Sequence, residues 1–231
     1  MIFTNRTQAG QELAKHLTKY AGRTDVIVLG LPRGGVPVAF EVATALGAVL
    51  DVFVLRKLGV PGHEELAFGA IASGGVRVLD PEIVAGLRIS ALDIDLVTAA
   101  EKQELKRRER VYRGTRPPLD VKEKTVILVD DGIATGSSMR AAIRAIRQME
   151  PAQIVVATPV APVSTLSDLE NEADESVCVE MPESFFGVGQ FYRDFSQVSD
   201  GEVNELLDRA SREPTGPVAD NAERLPRGAR Q

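Results

Sequence analysis

Apolar positions along this chain alternate between two spacings. Short continuous apolar runs at residues 26–29, 48–55, 126–129, 153–159 and 176–179 have the length and composition of strands buried on both faces. Between them the spacing turns helical. Ala9, Leu13, Leu17 and Tyr20 form one stripe over 7–20 behind Thr7 as N-cap, and 36–46 is a helix stopped by Gly47. A long helix over 90–113 begins with a Ser90/Asp93 capping box, carries a Glu104→Arg108 pair and ends before Pro117-Pro118. Two more helices cover 139–149 and 164–172. Strands alternating with helices imply right-handed crossovers and a doubly wound, mostly parallel five-stranded α/β sheet with flanking helices. Residues 67–72 and 76–79, joined by Ser73-Gly74-Gly75, read as a β-hairpin beside that sheet. The glycine- and proline-rich stretch 57–66 reads as a mobile loop, and 213–231 as a disordered or loosely attached tail.

Composition narrows the classes. With 44% hydrophobic and 26% charged residues in 231, the chain is an ordinary globular one, with one domain over 1–212. A net charge of −6 offers no basic footprint for nucleic acid. There is no apolar leader segment and no run of about 18 apolar residues, so neither export nor membrane spanning is expected. Cys178 is the single cysteine, set as a buried strand residue rather than a nucleophile, which fits a reducing cytoplasm. Two histidines and one cysteine cannot build a His/Cys zinc site, so any metal should be hard and oxygen-ligated, with Mg²⁺ the natural choice.

Candidate chemistry concentrates after the strand at 126–129. Asp130 and Asp131 stand at its carboxyl end, where open α/β sheets place ligands, and Thr135, Gly136, Ser137 and Ser138 offer hydroxyls and close-approach amides at a helix N-terminus. A plain strand, Asp-Gly turn and Ser cap accounts for each piece singly. It leaves unexplained why two carboxylates adjoin a phosphate cradle, unless they address sugar hydroxyls or a ligand-borne metal. After the first strand, Gly30-Leu-Pro-Arg33-Gly34-Gly35 pairs close-approach glycines with a guanidinium fork, either a diphosphate grip or a plain tight turn. The basic cluster Lys106-Arg107-Arg108 reads as a solvated helix face. Residues 181–195 hold five of the chain's eleven aromatics, a flat surface for a nucleobase or simple packing.

The thirteen residues 126–138 closely resemble the signature of the type I phosphoribosyltransferases: a hydrophobic strand, two acidic residues, a short spacer and Thr-Gly-x-Thr/Ser. The resemblance implies that fold, with a small hood formed by the N-terminal helix and about 181–212 over a core of about 24–180, and a flexible lid. It implies transfer of the phosphoribosyl group from phosphoribosyl diphosphate to a base, as in nucleotide salvage, with Mg²⁺, in a homodimer; relatives that only sense the donor or a nucleotide are the alternative. A kinase that makes the donor is disfavoured, since nothing supplies an ATP site. Carried over by position, Asp130 and Asp131 would hold the ribose hydroxyls and, mainly through the ligand, the metal. Gly132 and Ile133 would lead into a 5′-phosphate cradle formed by Ala134, Thr135, Gly136, Ser137 and Ser138. Arg33, Gly34 and Gly35 would meet the diphosphate, and whether a non-proline cis peptide shapes the 31–37 loop is left open by sequence. Arg56 or Lys57 would neutralise the leaving group. Ala134 replaces the Asp with which hypoxanthine-guanine members exchange a proton, so Glu64 or Glu65 of the lid becomes the candidate acid–base group, His63 being read as surface. Phe186 and Arg193 match the base-covering Phe and diphosphate-contacting Arg of that subfamily, although about four residues, including its metal-contacting Asp, are missing after Gly189.

Overall fold

The computed structural model describes residues 1–212, so the tail proposed for 213–231 lies outside the described residues. In chain order the elements are α1 (Arg6–Lys15), β1 (Val26–Gly30), α2 (Gly35–Leu46), β2 (Val49–Val52), β3 (Leu55–Val60), β4 (His63–Ala72), β5 (Arg77–Leu79), α3 (Pro81–Gly86) and α4 (Ala91–Arg113). Then follow β6 (Thr125–Val129), α5 (Ser137–Arg147), β7 (Gln153–Val160), α6 (Val163–Glu170), β8 (Glu175–Glu180) and α7 (Asp200–Arg212). Five strands form one all-parallel sheet in the order β2-β1-β6-β7-β8.

Every residue of β1 and β6 is buried. Strand alternation splits their side chains between two cores. Val28, Val129, Val155 and Ala157 pack under α1, α2, α4 and α7, whereas Leu29, Leu128 and Val156 pack under α5 and α6. Helices on both faces make the sheet doubly wound, as the hydrophobic runs predict. The chain moves from β1 outward to β2, then returns to β6 on the other side of β1 and proceeds to β7 and β8. The reversal falls between β1 and β6, which end level at Gly30 and Val129. A crevice opens at such a switch point, and both chemical loops leave from it.

Several expectations need correction. Residues 57–66 are not an irregular loop: β3 and β4 pair antiparallel across Pro61-Gly62, with Val60 opposite His63 and Gly62 at φ +80°. Leu58 and Val60 alternate inward, so the Pro-Gly pair closes a hairpin instead of hinging a loop. The hairpin read at 67–79 forms as its continuation, giving a separate three-stranded sheet β3-β4-β5. The run 48–55 divides, because after β2 Phe53 donates its amide to the Gly30 carbonyl and the chain turns away into β3. Asn5, not Thr7, caps α1 by accepting the Gln8 amide at 3.0 Å, and the helix stops at Lys15 before a short 3₁₀ turn at Thr18–Tyr20. α5 starts two residues before Met139, and α3 and α7 go beyond the helices expected from spacing. The covering segment is also narrower than 181–212: α7 buries Val203 and Leu207 in the core alongside Leu13 and Leu17, with α1 in the same layer. What lies over the sheet edge is residues 181–198 with Phe3, whose amide bonds to the Phe191 carbonyl.

Leu128 is fully buried, while Leu92 on α4 is 69% exposed. Leu128→Ala should cost about 2–5 kcal/mol in urea unfolding and Leu92→Ala under about 0.5 kcal/mol; equal costs would contradict the two-face core.

Candidate functional site

The buried β6 delivers Asp130 and Asp131 to the switch-point crevice, and each acid is held differently. Asp130 Oδ1 accepts the Asp131 amide at 2.9 Å. Asp131 is buried, its Oδ2 accepting Arg6 Nε at 2.7 Å and its carbonyl accepting the Tyr192 hydroxyl. The Arg6 guanidinium lies 4.1 Å from the Phe195 ring centre and also donates to the Ser196 carbonyl. Burial pushes the Asp130 carboxyl well above the usual range, with the neighbouring Asp131 charge adding to it. Burial likewise raises Asp131, opposed by the Arg6 hydrogen bond and charge.

Beyond the pair, Ile133 donates its amide to the Val160 carbonyl at 2.9 Å, and the Ala134 carbonyl accepts the Thr165 hydroxyl at 2.7 Å. Gly136 adopts φ +73°, the left-handed turn that lets α5 begin at Ser137. Ala134, Thr135, Ser137 and Ser138 are exposed, with the Thr135 and Ser137 hydroxyls 3.1 Å apart. The result is a short open loop of hydroxyls at the N-terminus of an 11-residue helix, a ready anion site.

The β1 loop meets this one directly. A Cβ on Gly34 would overlap Asp131 Oδ2, and one on Gly35 would fall 2.6 Å from the Val129 carbonyl oxygen. A larger residue at Gly34 would displace the Asp131 carboxylate, and one at Gly35 would displace the backbone at the end of β6. The Pro32–Arg33 peptide is cis. Arg33 is half-buried, with its guanidinium 3.8 Å from Asp200. Arg6, Arg33, Gly34, Asp131 and Phe195 line one cavity of about 360 Å³. The structure therefore brings together Arg33, Gly34 and Asp131, with Gly35 and Asp130 directly beneath.

The remaining candidates lie apart from that group. Lys57 and Glu65 share a second cavity, of about 340 Å³, with Ser137 and Arg140, between the β3–β4 arm and α5. Lys57 and Arg33 thus face different cavities. Arg56 turns to Glu101 on α4 at 2.7 Å, which leaves Lys57 as the cation of that pair facing the cradle. Glu64 is exposed beside the Gly59 bulge and His63 is exposed at the hairpin tip. Phe186 is 93% exposed, and Arg193 is exposed with its amide bonded to the Phe3 carbonyl; neither lines the Asp131 cavity. Most of the aromatic segment is packing, with Phe185 stacked on Phe191 and Tyr192 set against Phe3 and Phe195. Cys178 hydrogen-bonds the Glu180 carbonyl, and burial pushes its thiol up to about 11, which leaves it a poor nucleophile.

Sequence reasoning missed Arg6, Tyr192, Thr165 and Phe195. Arg6 gives no local signal, since its partner is 125 residues away. Tyr192 could have been found, because a buried tyrosine hydroxyl needs an acceptor.

The family profile of the phosphoribosyl transferase domain matches residues 2–196. The chain belongs to the phosphoribosyl transferase family. A Mycobacterium tuberculosis protein, provisionally named phosphoribosyl transferase MT0597, is 47% identical over 212 residues, covering 92% of this chain and 48% of its own length. The chain thus spans about half the length of the curated relatives it matches first. The bifunctional protein PyrR of Chloroflexus aurantiacus is 34% identical over 128 residues, 54% of this chain and 64% of that protein. Among solved structures, TT1426 from Thermus thermophilus superposes with a TM-score of 0.80 at 41% identity, covering 90% of this chain and 98% of that one. The phosphoribosyl transferase fold expected from residues 126–138 is the fold observed, and no described helix is long and apolar enough to cross a membrane.

A carboxyl whose folded pKa lies above its unfolded value weakens the fold once pH exceeds the ordinary carboxylate range, because the unfolded chain ionises first. Asp130→Asn should therefore raise the thermal midpoint at pH 7, and the gain should shrink to nothing as pH falls below that range. A midpoint lowered at pH 7 would refute the frustrated pair.

Proposed function

We propose that the protein transfers the 5-phosphoribosyl group from phosphoribosyl diphosphate to a ring nitrogen of a nucleobase or similar base, releasing diphosphate. The observation that carries this reading is the contact of the Arg33-Gly34 loop with the Asp130-Asp131 pair at one switch point, beside an open hydroxyl loop on a helix N-terminus. Asp130 and Asp131 accept the two ribose hydroxyls, and Arg6 fixes which Asp131 oxygen stays free for this. The amides and hydroxyls of Ala134 to Ser138 hold the 5′-phosphate. Arg33, with the Gly34 and Gly35 backbone, meets the diphosphate. Negative charge grows there as the glycosidic bond breaks, and fixed donors stabilise it most at that stage. Lys57, with Glu64 and Glu65, acts only after the β3–β4 arm swings toward the crevice, excluding water from the oxocarbenium-like centre.

Among the described residues no cluster of three or more acidic, His or Cys side chains could hold a metal by itself. Asp131 is moreover already paired with Arg6. That donor set suits Mg²⁺ carried chiefly by the ligand's own diphosphate, since this ion binds through one or two carboxylates plus substrate phosphates. When bound it would offset diphosphate charge, while the chain's own residues orient the sugar.

A second reading has its own support. The cavity at Asp131 is otherwise lined by Arg6, Arg33, Gly34, Phe195, Gln197 and Val198, none of them an acid or a histidine, which suits a protein that binds the donor or a nucleotide without transfer.

Incubation with donor, Mg²⁺ and a panel of purine and pyrimidine bases should release diphosphate with at least one base, and Asp130→Asn with Asp131→Asn should abolish release. Donor binding without release on any base selects the sensor; full turnover by the double variant overturns both readings. In calorimetry with ribose 5-phosphate, Thr135→Val with Ser137→Ala should weaken binding about tenfold, the loss of roughly one hydrogen bond to a charged group. Unchanged affinity would remove the cradle from the site.

A further inference from the structure

A cavity of about 540 Å³ opens at the end of the sheet opposite the crevice. Its floor is Ile27 at the start of β1, Val49 and Leu50 of the edge strand β2, and Pro117, Pro118 and Leu119 of the irregular segment after α4. Ile27 is three residues before Gly30, about 10 Å at the strand rise, so the Arg33 loop and this cavity sit at opposite ends of one strand. One wall is rigid: Asp51 and Arg113 form a buried ion pair at 2.9 Å, and Arg113 also donates to the Pro117 carbonyl. The rim carries Arg116, Lys124 and Arg212 against Asp120. Two of those cations pair with exposed carboxylates. Arg116 reaches Asp208 at 3.4 Å, and Lys124 reaches the Asp120 carboxylate at 3.2 Å while also donating to the Asp120 carbonyl at 2.9 Å; the two carboxylates are 64% and 70% exposed. Exposed pairs of this kind contribute little and release their cations readily. Val49, 51% exposed on the floor, is apolar surface without cover among the described residues.

An apolar floor, a cationic rim and this volume match the anatomy of a small-molecule site. We infer that this cavity binds a small amphiphilic anion, an apolar ring or chain bearing a carboxylate, sulfonate or phosphate, independently of the donor site. The apolar part lies on Val49, Leu50 and Leu119, and the anionic group meets Arg116 and Lys124 in place of their solvent-exposed partners. Nothing in this assignment depends on the reaction proposed above.

The test titrates the 231-residue chain with 8-anilinonaphthalene-1-sulfonate, followed by its fluorescence, with and without saturating phosphoribosyl diphosphate and Mg²⁺. One saturable site is expected, unmoved by the donor. Affinity should fall at least about tenfold in Lys124→Glu with Arg116→Gln, and again in Val49→Asp, but not in Lys102→Glu on the solvent face of α4. Circular dichroism confirms which variants fold, and the rim and floor variants need not both survive for the comparison to decide. Displacement by donor, non-saturable binding, or equal losses in Lys102→Glu and the rim variant would each overturn the assignment.

Discussion

Two loops leaving adjacent parallel strands must pass within contact distance, and the rest of the crevice follows from that. Gly34 lies so close to the Asp131 carboxylate that a single methyl would overlap its oxygen, and Gly35 lies as closely on the backbone of β6. The approach is possible because β1 and β6 end in register, fully buried, with helices pressing on both faces. A rigid sheet fixes the strand ends, the glycines bring the loops together, and one cavity can then present a guanidinium and a carboxylate to the same ligand.

This arrangement has an electrostatic cost that is only half offset. Both carboxyls are desolvated, yet the single guanidinium of Arg6 serves Asp131 and leaves Asp130 with little beyond a backbone amide. Under the function proposed above, ligand hydroxyls would supply the hydrogen bonds that the protein withholds from this pair. Arg6 and Tyr192 grip the two ends of the same residue, side chain and carbonyl, so the position of Asp131 is set by the covering segment as well as by β6.

The sheet was legible because buried parallel strands read as unbroken apolar runs, and 26–29 and 126–129 fall on observed strands. The meeting of the loops at Arg33-Gly34 and at 130–138 was legible because each follows the carboxyl end of an apolar strand run in the same sheet. The arm at 57–66 reads as a loop because Gly59, Pro61 and Gly62 signal irregularity locally, although the inward alternation of Leu58 and Val60 speaks for pairing. α7 carries helical spacing at Val203, Leu206, Leu207 and Ala210, which a reading guided by the neighbouring aromatics passes over. Arg6 could not be read at all: its place over Asp131 is a tertiary fact, set by how α1 and the 181–198 segment come together.

Because one holder of Asp131 precedes the sheet and the other follows it, the order of synthesis matters. A ribosome-bound chain ending near residue 180 already contains every strand of the parallel sheet, both glycine loops and Arg6, but not Tyr192 or Phe195. Its sheet can form while the acidic pair still lacks the hydroxyl anchor and the aromatic seat of its guanidinium. The acidic pair is therefore fully held only once residues 181–198 have followed the sheet out, so the sheet precedes the site it carries.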